Sequence, residues 1–272
     1  MSSARAASVL PVFLAAAVAV GIAPAVRAQS GSIAEVADCA IRNLPPSAHG
    51  HAKLVSRAAD GVGKTIEVDY WSHTPDLGAR QIVIALRGAP DGEVAAYLFS
   101  DGDAIGEAWA YTKGAAKAQR ITTTGVEVRF FGTSLSLEDF ARFARVVFPG
   151  RLRRLADAEI GARKVYVIET QPAPDAGSAY ARIVTSIDRE WCLILRRESF
   201  DAGFEGGARA RKIYRVDPAD VRVDGKFANA KRARQEDAEY SASTEMEVLE
   251  LELPAKVDDA FFTPDALPRA SH

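Results

Sequence analysis

Beyond Pro45-Pro46 the hydrophobic period of this chain is two, and with one interruption it stays two almost to the C-terminus. Ile66, Val68 and Tyr70 alternate with Thr65, Glu67, Asp69 and Trp71, residues 80–87 are β-rich, and residues 93–99 and 105–111 flank Asp101-Gly102, a strong hairpin signal. Asp60-Gly61, Asp91-Gly92 and Asp224-Gly225 mark further turns. Strands are expected again over 164–170, 180–187, 191–200, 208–216 and 221–227. In residues 245–253 the apolar positions Met246 and Val248 give way to Leu249, Leu251 and Leu253, a one-residue phase slip that predicts a β-bulge near Val248 and Leu249. The pattern amounts to about ten to eleven strands without a linker between domains or an internal repeat, and a sheet of that size curls or closes.

Helical spacing appears twice. Ile33, Val36, Ala37, Ala40, Ile41 and Leu44 recur at three and four, so residues 32–43 read as one amphipathic helix. Ser136 with Asp139 makes a capping box for a second helix. It runs to Phe148, with Leu137, Phe140, Ala144, Val147 and Phe148 on one face, Arg142 and Arg145 turned away, and Pro149-Gly150 as its stop. Residues 258–267 form a short terminal helix or turn. Inserted helices of this kind can cover the concave side of a curved sheet.

The N-terminus sets the compartment. Arg5, an apolar run from Val9 to Val20, then Gly21, Pro24 and small residues up to Val26-Arg27-Ala28 are the order of a secretory signal peptide, with cleavage expected after Ala28 and Ala25 as second choice. Residues 29–272 are then the mature, exported chain, read as a single domain. Cys39 follows Asp38 well beyond the apolar run, which gives no lipid anchor, and nothing after residue 28 approaches 18 consecutive apolar residues. In an oxidising space the two cysteines, Cys39 and Cys192, are expected to form one disulfide between the first helix and a mid-chain strand.

Composition and motifs narrow the chemistry. Thirty-four basic against 36 acidic residues leave none of the global basicity of a nucleic-acid binder. The clusters 151–154 and 231–234 are short, lack interleaved aromatics, and read as solvated strand ends. Gly63-Lys64-Thr65 looks like the end of a P-loop, but Ala58 stands where the first glycine belongs and Thr65 begins a strand. Gly132-Thr133-Ser134-Leu135-Ser136 lacks the second glycine of a nucleophile elbow, and in Asp101-Gly102-Asp103 the third calcium-ligand position is Ile105. His49 and His51 are placed on an exposed loop and make no metal site. No enzyme, cofactor or metal is expected.

Several segments, taken in order, resemble the outer-membrane lipoprotein-sorting-protein family: residues 132–140 (Gly-Thr-Ser-Leu-Ser-Leu-Glu-Asp-Phe), then Lys164-Val165-Tyr166-Val167-Ile168-Glu169-Thr170 closing with Pro172, then Tyr180-Ala181-Arg182-Ile183 and Ile187-Asp188. Arg211-Lys212-Ile213, Thr244-Glu245-Met246, and Phe262-Thr263-Pro264 with Leu267 continue it, so that the resemblance spans roughly residues 65–268. It implies a mainly β fold with α elements, an unclosed antiparallel β-barrel whose apolar concave side is covered by helices. It also implies a periplasmic carrier that holds the acyl chains of a lipoprotein or another lipid. A monomer is expected, with an inner- or outer-membrane protein as partner in delivery and no nucleic acid.

The expected cavity lining is Ile66, Val68 and Tyr70 from the strands and Leu137, Phe140, Val147 and Phe148 from the covering helix. The alternative is a periplasmic sensor of the same fold that binds a membrane signalling partner. Regulators of that kind carry an additional C-terminal domain, whereas five residues follow Leu267.

Overall fold

The computed structural model describes residues 31–74, 80–101, 108–121, 128–142 and 149–271. The first helical period forms α1 (Ile33–Arg42), with Ser32 and Glu35 in a reciprocal capping box and Asn43 closing the last turn, so both predicted ends hold. The chain then builds an antiparallel meander of β1 (Ser47–Arg57), β2 (Gly63–His73), β3 (Arg80–Leu86), β4 (Val94–Asp101), β5 (Ala108–Thr112) and β6 (Gln119–Ile121). A 3₁₀ turn at Phe130–Gly132 leads into α2 (Leu137–Ala141). Strands resume as β7 (Gly150–Arg154), β8 (Ala158–Ile160), β9 (Arg163–Pro172), β10 (Arg182–Asp188), β11 (Ile194–Phe200) and β12 (Lys212–Arg215). They continue as β13 (Val221–Asp224), β14 (Phe227–Ala230), β15 (Arg232–Asp237) and β16 (Ala242–Glu252), and the chain closes with α3 (Leu267–Ala270).

Fourteen strands form one antiparallel sheet, and β13 pairs with β14 in a separate hairpin. The two halves of the sheet are joined where β16 pairs with β1, and β6 and β7 stand at its two ends without pairing to each other, so the barrel is unclosed. The predicted phase slip is a real bulge. His51 pairs with Glu250 and Ala52 with Val248, leaving Leu249 as the extra residue. Met246, Val248, Leu251 and Leu253 therefore all line the inner side, and Leu249 is left 42% exposed.

There are sixteen strands among the described residues instead of ten to eleven. The largest omission is β1, whose inner positions Ala48, Gly50 and Ala52 are too small to register as hydrophobic alternation. His49 and His51 lie on this strand and not on an exposed loop. His49 stacks on Trp71 at 5.0 Å, and buried His51 sits 2.9 Å from Glu67. The turn at Gly102 and residues 143–148 of the expected second helix lie outside the described residues, as do residues 1–30.

The inner face is covered by the segment around Phe130, by α1 and α2, and by the β13–β14 hairpin. Phe130 packs between Tyr97 and Phe140, at 5.0 and 4.2 Å. The outer face is covered by the C-terminal segment, with Phe261 against Trp71 and Phe262 against His73.

Cys39 and Cys192 form the expected disulfide, with their Cα atoms 5.2 Å apart. Cys192 belongs to the turn between β10 and β11 and not to a strand, and its φ is +57°. Buried Asp188 shapes that turn by accepting two hydrogen bonds from Arg163 at 2.7 and 2.8 Å and the backbone N–H groups of Glu190 and Trp191. Burial pushes the Asp188 carboxyl up, but the Arg163 guanidinium and these donors outweigh it and hold it below the usual carboxylate range.

Candidate functional site

Alternate residues of neighbouring strands face the same side of a sheet, and on the inner side of this one they do not fill the space. A cavity of about 250 Å³ lies there, walled by Leu54 of β1, Val68 of β2, Ile82 and Ile84 of β3, Met246 of β16 and Phe140 of α2. A second chamber of about 210 Å³ adjoins it beneath α1 and the hairpin, where Leu44, Ile194, Ala228, Leu251 and Leu253 line the wall. The two share Tyr70, Arg80, Tyr214, Ala230 and Val248.

Gly50 makes this geometry possible. Tyr70 is its partner across β1 and β2, and a Cβ on residue 50 would stand 2.3 Å from Cζ of the Tyr70 ring. The ring thus crosses β1 where only a glycine permits it. Burial pushes the phenols of Tyr70 and Tyr214 up to about 12, against the opposing charges of Arg80 and Arg222 on the first and Arg197 on the second. Both phenols are neutral at physiological pH. Arg80 donates from Nη2 to Oγ of buried Ser72 at 2.6 Å.

The roof over the first chamber is bolted down by two adjacent buried carboxylates. Asp139 accepts from Lys212 Nζ at 2.7 Å, Gln235 Nε2 at 2.8 Å, Tyr180 Oη at 2.8 Å and the backbone N–H of Ser136 at 2.8 Å. Burial opposes its ionisation, but Lys212 and these donors hold the carboxyl below its usual range. Glu138 pairs with Arg142 at 3.0 Å and accepts from Ser178 Oγ and the Ala179 N–H, yet burial dominates and keeps its carboxyl above the usual range. Arg197 donates to the carbonyl of Arg142, and the Oγ of Ser134 donates to Oγ1 of Thr244 at 2.7 Å. The capping box of Ser136 and Asp139 was visible in the sequence; the tie from Asp139 to β12 and β15 was not.

Three of the expected lining residues, Val68, Tyr70 and Phe140, stand at the wall of the first chamber. Ile66 and Leu137 are in the core instead, 7% and 2% exposed, and neither chamber includes them. Val147 and Phe148 lie outside the described residues. Sequence reasoning missed Arg80, Tyr214 and Met246. Met246 could have been found from the phase slip, which puts it on the same face as Val248. Arg80 is the first residue of β3, and Tyr214 lies in β12, a strand of four residues too short for a two-residue period to assign a face.

In chemical terms the site is an apolar container with one guanidinium and two neutral phenols where its chambers meet. Among the described residues no group of three or more His, Cys, Asp and Glu side chains could hold a metal ion, and no helix is long and apolar enough to cross a membrane.

A family model described as that of an uncharacterized protein matches residues 89–269. No curated protein matches the sequence significantly. Among solved structures, the chain is similar to a DUF1329 family protein from Desulfovibrio piger, at 17% identity and a TM-score of 0.74, covering 86% of this chain and 98% of that one. It is also similar to a protein domain assigned to outer membrane lipoprotein sorting from Vibrio parahaemolyticus, at 18% identity and a TM-score of 0.73, over 86% of this chain and 97% of that one. A LolA superfamily protein from Nitrosomonas europaea matches at 17% identity and a TM-score of 0.66, over 87% and 99%. At these identities the likeness is one of fold, and the fold is the unclosed antiparallel sheet described above.

Proposed function

The chain belongs to the family whose model matches residues 89–269 and has the fold of lipoprotein-sorting proteins, and from that premise we propose that it is a periplasmic carrier of acylated cargo. The observation that carries the reading is the inner cavity of about 250 Å³ with its apolar walls. A packed core leaves few voids larger than a water molecule, so a chamber of this size is space set aside for another molecule. An acyl chain entering it would leave water at a gain of about 0.8 kcal/mol per buried methylene. The order of residues 2–28 as a signal peptide supports export, and the disulfide fits an oxidising compartment.

Delivery of a lipoprotein or another lipid requires a donor and an acceptor at the membranes, and the cargo leaves when the acceptor competes for its chains. The covering elements differ in how they are held. Buried ion pairs tie down α2, whereas the β13–β14 hairpin forms no ladder with the main sheet, and the Asn43 amide holds it by two hydrogen bonds to Ala228. The hairpin is therefore the part of the cover that yields to cargo.

The test is native mass spectrometry of the protein purified from its own periplasm, alongside the Phe140→Asp variant. Wild type is expected to carry lipid and to shield an acylated peptide from water. The variant, checked for intact β-structure by circular dichroism, is expected to carry none. A wild-type protein free of lipid that leaves the acylated peptide accessible would refute the carrier reading.

A further inference from the structure

The barrel is open between two edge strands. Among the described residues β7 pairs with β9 alone, and β6, at the other end of the sheet, is only three residues long. The register fixes which backbone groups of β7 serve β9. Leu155 donates its N–H to the Val167 carbonyl and Ala173 donates to that of Pro149, so residues 149, 151, 153 and 155 turn their polar groups to β9. Gly150, Leu152 and Arg154 therefore turn theirs to the other edge. Leu152 packs with Val36 and Ala40 of α1, which holds the strand in place. The basic run 151–154 is thus a whole edge strand and not a solvated strand end.

The side chains of β7 decide what can pair there. Arg151 and Arg153 are exposed, two residues apart on one face of the strand, beside a groove of about 510 Å³ that Glu169 and Gln171 also line. Arg153 and Arg182 share the Glu169 carboxylate, at 3.0 and 3.5 Å, while Arg151 stands across from uncharged Gln171. Like charges directly opposite one another destabilise a strand pair, and opposite charges stabilise it. A second copy of β7, paired antiparallel about Leu152, would set Arg151 against Arg153, so the edge rejects itself. A strand with carboxylates at alternate positions would meet both guanidiniums and bond the edge backbone groups through the residues between.

We propose that β7 is the docking edge for an extended acidic segment of a partner protein, added as a further antiparallel strand with its carboxylates on Arg151 and Arg153. The site lies outside the inner cavity, so it stands or falls apart from the carrier reading.

The experiment follows the fluorescence anisotropy of fluorescein-labelled octapeptides added to the disulfide-bonded protein: glutamate alternating with valine, lysine alternating with valine, and two N-methylated forms of the first. The glutamate peptide is expected to bind at least about tenfold more tightly than the lysine peptide. In an antiparallel pair its valines, opposite Gly150, Leu152 and Arg154, donate the backbone hydrogen bonds. N-methylation of the valines should therefore cost at least about tenfold, and N-methylation of the glutamates less than about twofold. Equal binding of the glutamate and lysine peptides by the wild type, or binding of neither, would overturn the proposal without recourse to a variant. Insensitivity to N-methylation of the valines would leave a contact between side chains and overturn strand addition. Arg151→Glu/Arg153→Glu, whose fold is checked by circular dichroism and by binding of the neutral apolar fluorophore N-phenylnaphthylamine, should prefer the lysine peptide. A variant that still prefers glutamate would place the acidic segment elsewhere and overturn the assignment to β7.

Discussion

Asp139 gathers four donors at one buried carboxylate, and two of them belong to strands more than seventy residues away in sequence. A buried ion pair contributes little against an apolar substitute, but removing one partner strands the other charge. Asp139→Asn should therefore cost about 3 kcal/mol, the lower end for a broken buried pair, because Lys212 keeps Asp237 at 3.9 Å. The sign with pH follows from the lowered carboxyl. Its stabilisation is fully present above the unfolded value near pH 4 and is lost as pH falls through the folded value. The gap in urea midpoint between wild type and variant should thus narrow from about pH 7 to about pH 3; a constant gap would show that the charge of Asp139 is not what stabilises. Glu138 is present in both proteins, and its raised carboxyl gives the opposite slope. Residues of this kind were the least legible in the sequence. Asp139 reads locally as a helix cap, Gly50 as one small residue among others and Arg80 as a strand end, because each owes its role to a partner brought in by the sheet.

Elements were legible in proportion to the contrast between their two faces. The bulge in β16 was read from five apolar residues, and both ends of α1 from its caps and period. β15 escaped notice because its inner positions hold Gln235 and Asp237, which serve the polar network under α2 in place of the core. β1 escaped because small residues face inward to leave room for Tyr70 and the cavity. Length limits α1 too: ten residues fall short of the roughly 12–15 at which an isolated helix becomes marginally stable, so it depends on its anchors. The disulfide closes a sequence separation of 153, worth up to about 5 kcal/mol on chain entropy, and Asn43 carries that restraint onward to the hairpin. A Cys39→Ala/Cys192→Ala protein should lose about 2–5 kcal/mol of stability. By hydrogen exchange the loosening should concentrate in α1 and the β13–β14 hairpin, with the sheet amides protected as before. Loosening spread evenly over the sheet would mean that the bridge stabilises only the chain as a whole and does not hold the cover.

At the scale of the whole molecule, the sequence reached the curved, mainly β architecture because period-two alternation survives almost to the C-terminus, and the likeness of segment order pointed the same way. It could not show that the inner face is left partly unfilled. A core residue and a cavity-lining residue have the same hydrophobicity, as Ile66 in the packed part and Val68 at the wall, two positions further along one strand, demonstrate. An apolar cavity lowers stability by the contacts its walls forgo, so filling it separates a container from a packing defect. Ala230 lines both chambers from the hairpin, and Ala230→Leu adds bulk where they join. If the space is kept for cargo, the variant should unfold within about 1 kcal/mol of wild type, or later, and at the same time lose binding of the apolar fluorophore. Thermal unfolding with and without ligand reads both at once, since a ligand at a hundred times its Kd stabilises the native state by about 2.7 kcal/mol. Wild type should show that shift and Ala230→Leu should not. A variant that gains stability and still shows the full shift would place the binding space elsewhere on the sheet, away from Tyr70 and Phe140.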